Sequence, residues 1–192
     1  MDRPGRAEVG AALRAWSQDE YLRALWFAAD AHQGQLVPGT KHSYLMHVTL
    51  VAMEVIAALR AEPEHDQAVA VTCALLHDVV EDTRVTRDEL RAAFGDAVAD
   101  GVAALSKDPN LPKDRQLPDS LERIRRQPRA IWMVKLADRI TNLQPPPPHW
   151  APEKIARYRE EAIAIRDALG DASPFLAERI TRKIEAYGLK GE

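Results

Sequence analysis

The sequence predicts an all-α fold, a compact bundle of about eight to ten helices. Three observations predict it. Apolar residues return at helical spacing along most of the chain, the strict alternation of a half-buried strand is missing, and the breaks between periodic segments carry the Ser, Asp, Thr, Gly and Pro residues that start and stop helices.

The elements follow in order. From Asp19 to His32, Leu22, Leu25, Trp26 and Ala29 recur at helical period, with Ser17 as the cap and Gly34 just past the end. Gln35 to Ser43 holds Pro38, Gly39 and Thr40 and reads as a loop. Tyr44 to Leu59 resumes the period through Val48, Val51, Ala52, Val55 and Ile56, so His47 rides its first turns. Asp66 to Val80 has almost no polar stripe and is the expected buried centre. Thr86-Arg87-Asp88-Glu89 has the form of a capping box opening a helix that Gly95 stops, and Asp96 to Leu105 begins another. Ser106 to Asp114, with two prolines, reads as an exposed connection, and Ser120 to Gln127 as a charged amphipathic helix. Pro128 opens the apolar segment Ile131 to Asn142. Pro145 to Pro148 forces an extended stretch, a stiff surface loop or a wall over a site, and helices over about Glu153 to Leu169 and Ser173 to Tyr187 close the chain.

At 192 residues the chain is expected to form one domain over 1–192, with a motif-bearing core at about 19–144 and closing helices at about 151–188. Hydrophobic content of 46% with 29% charged residues is that of a soluble globular protein. A formal net charge of −3 gives no basic field for a nucleic-acid polymer, while a local cationic pocket for a small anion stays open. The single cysteine, Cys73, sits in an apolar run, reads as a buried small hydrophobe and fits a reducing cytoplasm. Met1 to Gly10 lacks the apolar segment of a leader, and no stretch approaches the roughly 20 apolar residues that span a bilayer. Neither secretion nor a membrane is expected. Oligomeric state is open, since Trp150 and Phe175 suit a dimer face and core packing equally.

Four residues stand out chemically: His47, the doublet His77-Asp78, and Asp138. Two imidazoles and two carboxylates suit Mn²⁺, Fe²⁺ or Zn²⁺ and leave open positions for water and substrate, which points to catalysis rather than a structural clip. A carboxylate embedded in Met133-Val134-Lys135-Leu136-Ala137-Asp138 needs a cation nearby. Successive residues of a regular helix point about 100° apart, so a distortion or helix end is expected near His77.

The doublet followed by Glu81-Asp82-Thr83, Lys135-Leu136-Ala137-Asp138-Arg139 ending in Asn142-Leu143, and the upstream Ala31-His32-Gln33-Gly34-Gln35 resemble the hydrolase domain of the RelA/SpoT homologues, the alarmone branch of the HD phosphohydrolases. The resemblance runs from about Ala24 to Asn142 and leaves no room for a synthetase domain. It implies an HD-domain helical bundle acting alone as a small alarmone hydrolase. It further implies Mn²⁺ held by His47, His77, Asp78 and Asp138, a water activated by Glu81 and Asp82, and release of the 3′-pyrophosphate of (p)ppGpp or (p)ppApp. Asn142 corresponds to the family's asparagine near the nucleotide sugar, and Lys107 to a lysine near the phosphate path. Arg139 could meet phosphate or a nearby carboxylate, and His32 could shape the pocket rim.

One segment departs from the pattern. An Arg-Lys pair typical of the family after Gly-Gln is replaced by Leu36-Val37-Pro38-Gly39-Thr40-Lys41-His42-Ser43-Tyr44, one residue longer and with Lys41 alone. Lys41, His42 and Tyr44 are the candidates to replace it, and guanine and adenine both stay open as the base. Other classes stay open as well: an NADPH phosphatase, nucleotidase or cyclic-nucleotide phosphodiesterase on the same ligands, or a metal-dependent nucleotide-binding module.

Overall fold

The computed structural model describes residues 13–188, so the reading of Met1 to Gly10 falls outside the described residues. Among the described residues the chain is all-α: ten α-helices, one short 3-10 turn, and no strand beyond an isolated bridge between Leu36 and Ser43.

Helix α1 (Gln18–Ala31) starts at Ser17, whose hydroxyl accepts from the Glu20 amide at 3.2 Å. The stripe expected to face the core is corrected in part. Leu22 and Trp26 are 49% and 69% exposed, and the small Ala24 and Ala28 are the buried residues. Two alanines on the inner face let α1 lie close against the third helix, which displaces the larger side chains to the flanks.

The centre consists of α2 (Tyr44–Ala61), α3 (Gln67–Leu76) and α8 (Arg129–Asn142), packed on one another. All of α3 from Ala68 to Leu76 is buried, as is α8 from Ala130 to Thr141 apart from Trp132. Helix α2 has the length and mean hydropathy, 1.5, of a candidate membrane span, yet half of it is buried here and it contributes Val48, Val51, Ala52 and Val55 to the core. Leu75, Leu76, Ile131, Met133, Leu136 and Ile140 are shielded from water, each contributing about 1.5–3 kcal/mol of transfer free energy. This core fixes the three backbones that carry the chemistry.

The third helix does not run unbroken to Val80. It stops at Leu76, Asp78 turns at φ −103° and ψ −2°, and a one-turn helix α4 (Val79–Asp82) follows. Helix α5 (Arg87–Phe94) opens with the capping box, Thr86 and Glu89 each bonding the other's backbone amide, and ends at Gly95, whose φ of 84° requires a residue without Cβ strain. Helix α6 (Asp96–Leu105) follows directly.

The connection after it is shorter than expected. Helix α7 (Lys113–Arg125) includes Pro118, which removes one backbone hydrogen bond in the second turn and leaves the helix otherwise intact. Ser106, at the start of the connection, is buried and its hydroxyl donates to the Val102 carbonyl. Helices α9 (Pro152–Leu169) and α10 (Pro174–Ala186) close the bundle on α8. Arg179 of α10 forms a two-pronged ion pair with the buried Glu54 of α2. Gln144, Pro145 and Pro146 face Lys183 and Tyr187 at the end of α10, as a surface loop would. Trp150 packs edge-on to Tyr158 at 5.5 Å, while Phe175 stays 38% exposed.

Candidate metal centre and active site

Three central helices converge on one point. Helix α2 brings His47 in its first turn, the break after α3 brings His77 and Asp78, and α8 brings Asp138 in its last turns. The Nε2 atoms of His47 and His77 lie 3.2 Å apart. Asp78 Oδ2 stands 3.5 Å from His47 Nε2 and 2.8 Å from His77 Nε2, and Asp138 Oδ1 stands 3.6 and 3.8 Å from the same two nitrogens. Adjacent ligands on an octahedral ion with bonds near 2.1 Å are about 3 Å apart, so this spacing suits a divalent cation. His47, His77 and Asp78 together have the geometry of a group that could hold a metal ion, and Asp138 lies beside them.

The break in the backbone explains why neighbours can share a centre. The Nδ1–H of His77 donates to the Ala74 carbonyl at 2.8 Å, which fixes the ring and turns Nε2 to the cluster. Asp78, just outside regular α geometry, points back to the same place. Burial alone lowers the His77 pKa, but the charges of Asp78 and Asp138 outweigh it and hold the group up to about 9. Burial raises Asp138, and Lys135 followed by His77 overcome this and bring it down to about 2. Asp78 is likewise held well below the carboxylate range, chiefly by His77 against its own burial. A cation entering this cluster would meet two carboxylates held ionised and would displace the His77 proton.

The surrounding groups tie down the ligands. Asp138 receives Lys135 Nζ on Oδ2 at 3.1 Å and Asn142 Nδ2 on Oδ1 at 2.6 Å. Tyr44 donates its hydroxyl to Asp78 Oδ2 at 2.6 Å and lies 3.3 Å from Asp82 Oδ2. Burial and the two carboxylates push that phenol far above its ordinary range, so it remains a donor. The turn of α4 carries Asp82 beside the cluster, with its carboxyl raised by burial and then by the charges of Asp78 and Glu81. Glu81 turns to Lys107, whose amide and Nζ donate to its two oxygens at 2.8 and 3.0 Å.

The remaining candidates are placed as follows. Arg139 is buried in α8, donates to Glu161 at 3.3 Å and stacks over Tyr158, so of its two partners left open by sequence it takes the carboxylate. Lys41 and His42 are exposed on the loop before α2, outside the cluster. That loop is closed by Val37 and Tyr44 amides donating to His42 and Gln35 carbonyls, which sets Tyr44 at the helix start. His32 is buried, packs its ring 4.7 Å from Tyr44 and bonds Gln35 through Nδ1. Sequence reasoning passed over Lys135 as a partner of Asp138, although its position three residues earlier in a buried helix signals it. The Tyr44 bridge to Asp78 and Asp82 spans 34 and 38 positions and leaves no local signal.

An all-helical bundle carrying a His, His-Asp and Asp centre at the meeting of three helices is the architecture of a metal-dependent phosphohydrolase domain. The chain belongs to the HD domain family, which matches residues 24–170. It is similar to mouse MESH1, a guanosine-3′,5′-bis(diphosphate) 3′-pyrophosphohydrolase, with 30% identity over 88% of this chain and 96% of that one. A Haemophilus influenzae guanosine-3′,5′-bis(diphosphate) 3′-pyrophosphohydrolase is 34% identical over 72% of this chain and 20% of its own length. The solved structure of a metazoan ortholog of SpoT that hydrolyses ppGpp superposes with a TM-score of 0.77 at 25% identity, over 92% of this chain and 100% of that one.

Proposed function

We propose that the chain is a (p)ppGpp 3′-pyrophosphohydrolase, with (p)ppApp as its adenine counterpart substrate, acting in the cytoplasm and dependent on Mn²⁺. The observation that carries the reading is the near full-length likeness to a guanosine-3′,5′-bis(diphosphate) 3′-pyrophosphohydrolase. The buried donor cluster supports it, since its four groups sit where they can be held for an ion.

His47, His77, Asp78 and Asp138 would hold the ion, which supplies Lewis acidity towards phosphate and a lowered pKa for water. The chain's own groups do the rest. Tyr44 keeps Asp78 aimed inward and fixes Asp82 on the opposite side of its hydroxyl. Asp82, its carboxyl raised by burial and by the charges of Asp78 and Glu81, takes the proton of the attacking water as a general base. Glu81, neutralised in part by Lys107, positions that water from the same turn of α4. The new bond joins water oxygen to phosphorus, the bond from phosphorus to the 3′-oxygen breaks, and the proton held by Asp82 is passed on as the 3′-hydroxyl forms. Asn142, one turn beyond Asp138, would meet the sugar when it is not bonding Oδ1.

The test is pyrophosphate release in Mn²⁺ from ppGpp and ppApp, beside NADPH and a cyclic nucleotide, with Asp78→Ala as blank. Asp82→Asn should lower kcat by about 10²–10⁴-fold while retaining the metal. Release from neither 3′-pyrophosphate nucleotide, with Mn²⁺ shown to be bound, would sink the reading.

A further inference from the structure

We propose that Arg84 is a specificity-determining residue, the cation that takes the 5′-phosphate end of the nucleotide in a cavity beside Asp82; the inference rests on the nucleotide-hydrolase reading above. The cavity has a volume of about 470 Å³ and opens between the end of α1 and the turn that joins α4 to α5. Asp30, His32, Gln35, Asp82, Arg84 and Glu89 are among the residues that line it. That volume lies within the range of small-molecule sites, roughly 300–1,000 Å³.

A nucleotide with phosphates at both its 3′ and 5′ ends presents two anionic groups, and the cluster with Glu81 and Asp82 accounts for one. The second needs a cation that is not already neutralised. Lys107 is bonded to Glu81, Lys135 to Asp138, and Arg139 to Glu161, while Lys41, exposed on the loop before α2, does not line this cavity. Arg84 lines the cavity and, among the described residues, has neither an ion pair nor a hydrogen bond. Its neighbour Glu89 forms no ion pair with it, and one oxygen of that carboxylate, Oε2, accepts from the Thr86 amide and hydroxyl. The exposed guanidinium is therefore left with its fork of donors open to solvent, a form suited to two phosphate oxygens.

A second observation marks the same cavity as built for a ligand. His32 is 2% exposed and its Nε2 has no hydrogen-bond partner, while Nδ1 is occupied by Gln35 at 2.7 Å. A buried ring nitrogen without a partner is costly, and a hydroxyl or ordered water arriving with a nucleotide would satisfy it. His32 at the end of α1 and Arg84 in the turn after α4 thus offer an unfilled acceptor and a cation to the cavity that Asp82 also lines.

The experiment is equilibrium binding by calorimetry, with Mn²⁺ present, of GDP, ADP and inorganic pyrophosphate to the wild-type protein, Arg84→Ala and Arg84→Lys. Arg84→Ala should weaken GDP and ADP by about tenfold or more, Arg84→Lys by less, and pyrophosphate should bind all three alike because it addresses the metal end. In turnover the loss should fall on KM rather than kcat. Equal GDP and ADP affinity in wild type and Arg84→Ala overturns the proposal, as does an equal loss for pyrophosphate, which would place Arg84 at the metal end. Failure of the wild type to release pyrophosphate from ppGpp or ppApp would instead end the hydrolase reading, and the binding comparison would still decide Arg84.

Discussion

His77 uses both ring nitrogens for different purposes, and that division makes its protonation state measurable. Nδ1–H is anchored on the Ala74 carbonyl, so the proton that titrates is the one on Nε2, between Asp78 and Asp138. With a folded pKa of about 9 against roughly 6.5 in an unfolded chain, the imidazolium stabilises the metal-free fold fully below the unfolded value, and this is lost as pH rises through about 9. Asp138 behaves in the opposite sense: its stabilisation is present above roughly pH 4 and is lost as pH falls towards its folded value of about 2. A cation entering the cluster must displace the His77 proton. Titration with Mn²⁺ at pH 7 in buffers of differing ionisation enthalpy should therefore show about one proton released per ion, falling towards none above pH 9. Release that does not change between pH 7 and 10 would remove His77 from the ligand set.

At the scale of elements, the decisive feature is the interruption between α3 and α4, because an unbroken helix would send His77 and Asp78 in different directions. The sequence announces that break through chemistry rather than through a breaker residue, since Leu76-His77-Asp78-Val79 contains neither Gly nor Pro. Most boundaries are equally legible, as Ser17, Thr86-Glu89, Gly95 and Pro128 each sit where a helix starts or stops. The inward face of α1 is not, because Leu22 and Trp26 satisfy the period as well as Ala24 and Ala28 do, and the choice is made by how closely α3 approaches. The two histidines and two aspartates of the cluster are readable from residue type and context, while Tyr44 joining Asp78 to Asp82 depends on a tertiary approach no local pattern encodes. Close approach also governs α6, where a Cβ on Gly101 would lie 2.6 Å from Ile131 Cδ1 and 3.1 Å from Cys73 Sγ. Gly101→Ala should cost about 1–3 kcal/mol in urea unfolding, because Ile131 is buried in the core and must shift to make room. An unchanged unfolding midpoint would mean that α6 and α8 are less tightly apposed than this geometry requires.

For the whole molecule, the centre is a junction: a single ion would tie α2, the α3–α4 break and α8 together at one end of the core. The bundle has other ties that do not depend on it. Arg179 clasps the buried Glu54 and joins α10 to α2, and the shielded side chains of α3 and α8 bury their faces regardless of occupancy. The metal-free protein should accordingly keep its helices and lose only the binding contribution. An ion present at about 100 times its Kd adds about 2.7 kcal/mol to the folded state. For a chain of this size that corresponds to roughly 5–10 °C in Tm. Thermal melts followed by far-ultraviolet circular dichroism should thus show a chelator-treated protein with unchanged helicity at 25 °C and a Tm lower by that amount, restored by Mn²⁺. His47→Ala, which removes a ligand from α2 without touching the Glu54 clasp, should melt at one temperature with or without Mn²⁺. Loss of helicity on chelation would make the ion a structural element of the fold, and a wild-type Tm indifferent to Mn²⁺ would mean that the cluster holds no ion, so that the four donors would owe their convergence to the His77 proton and to Tyr44, Lys135 and Asn142.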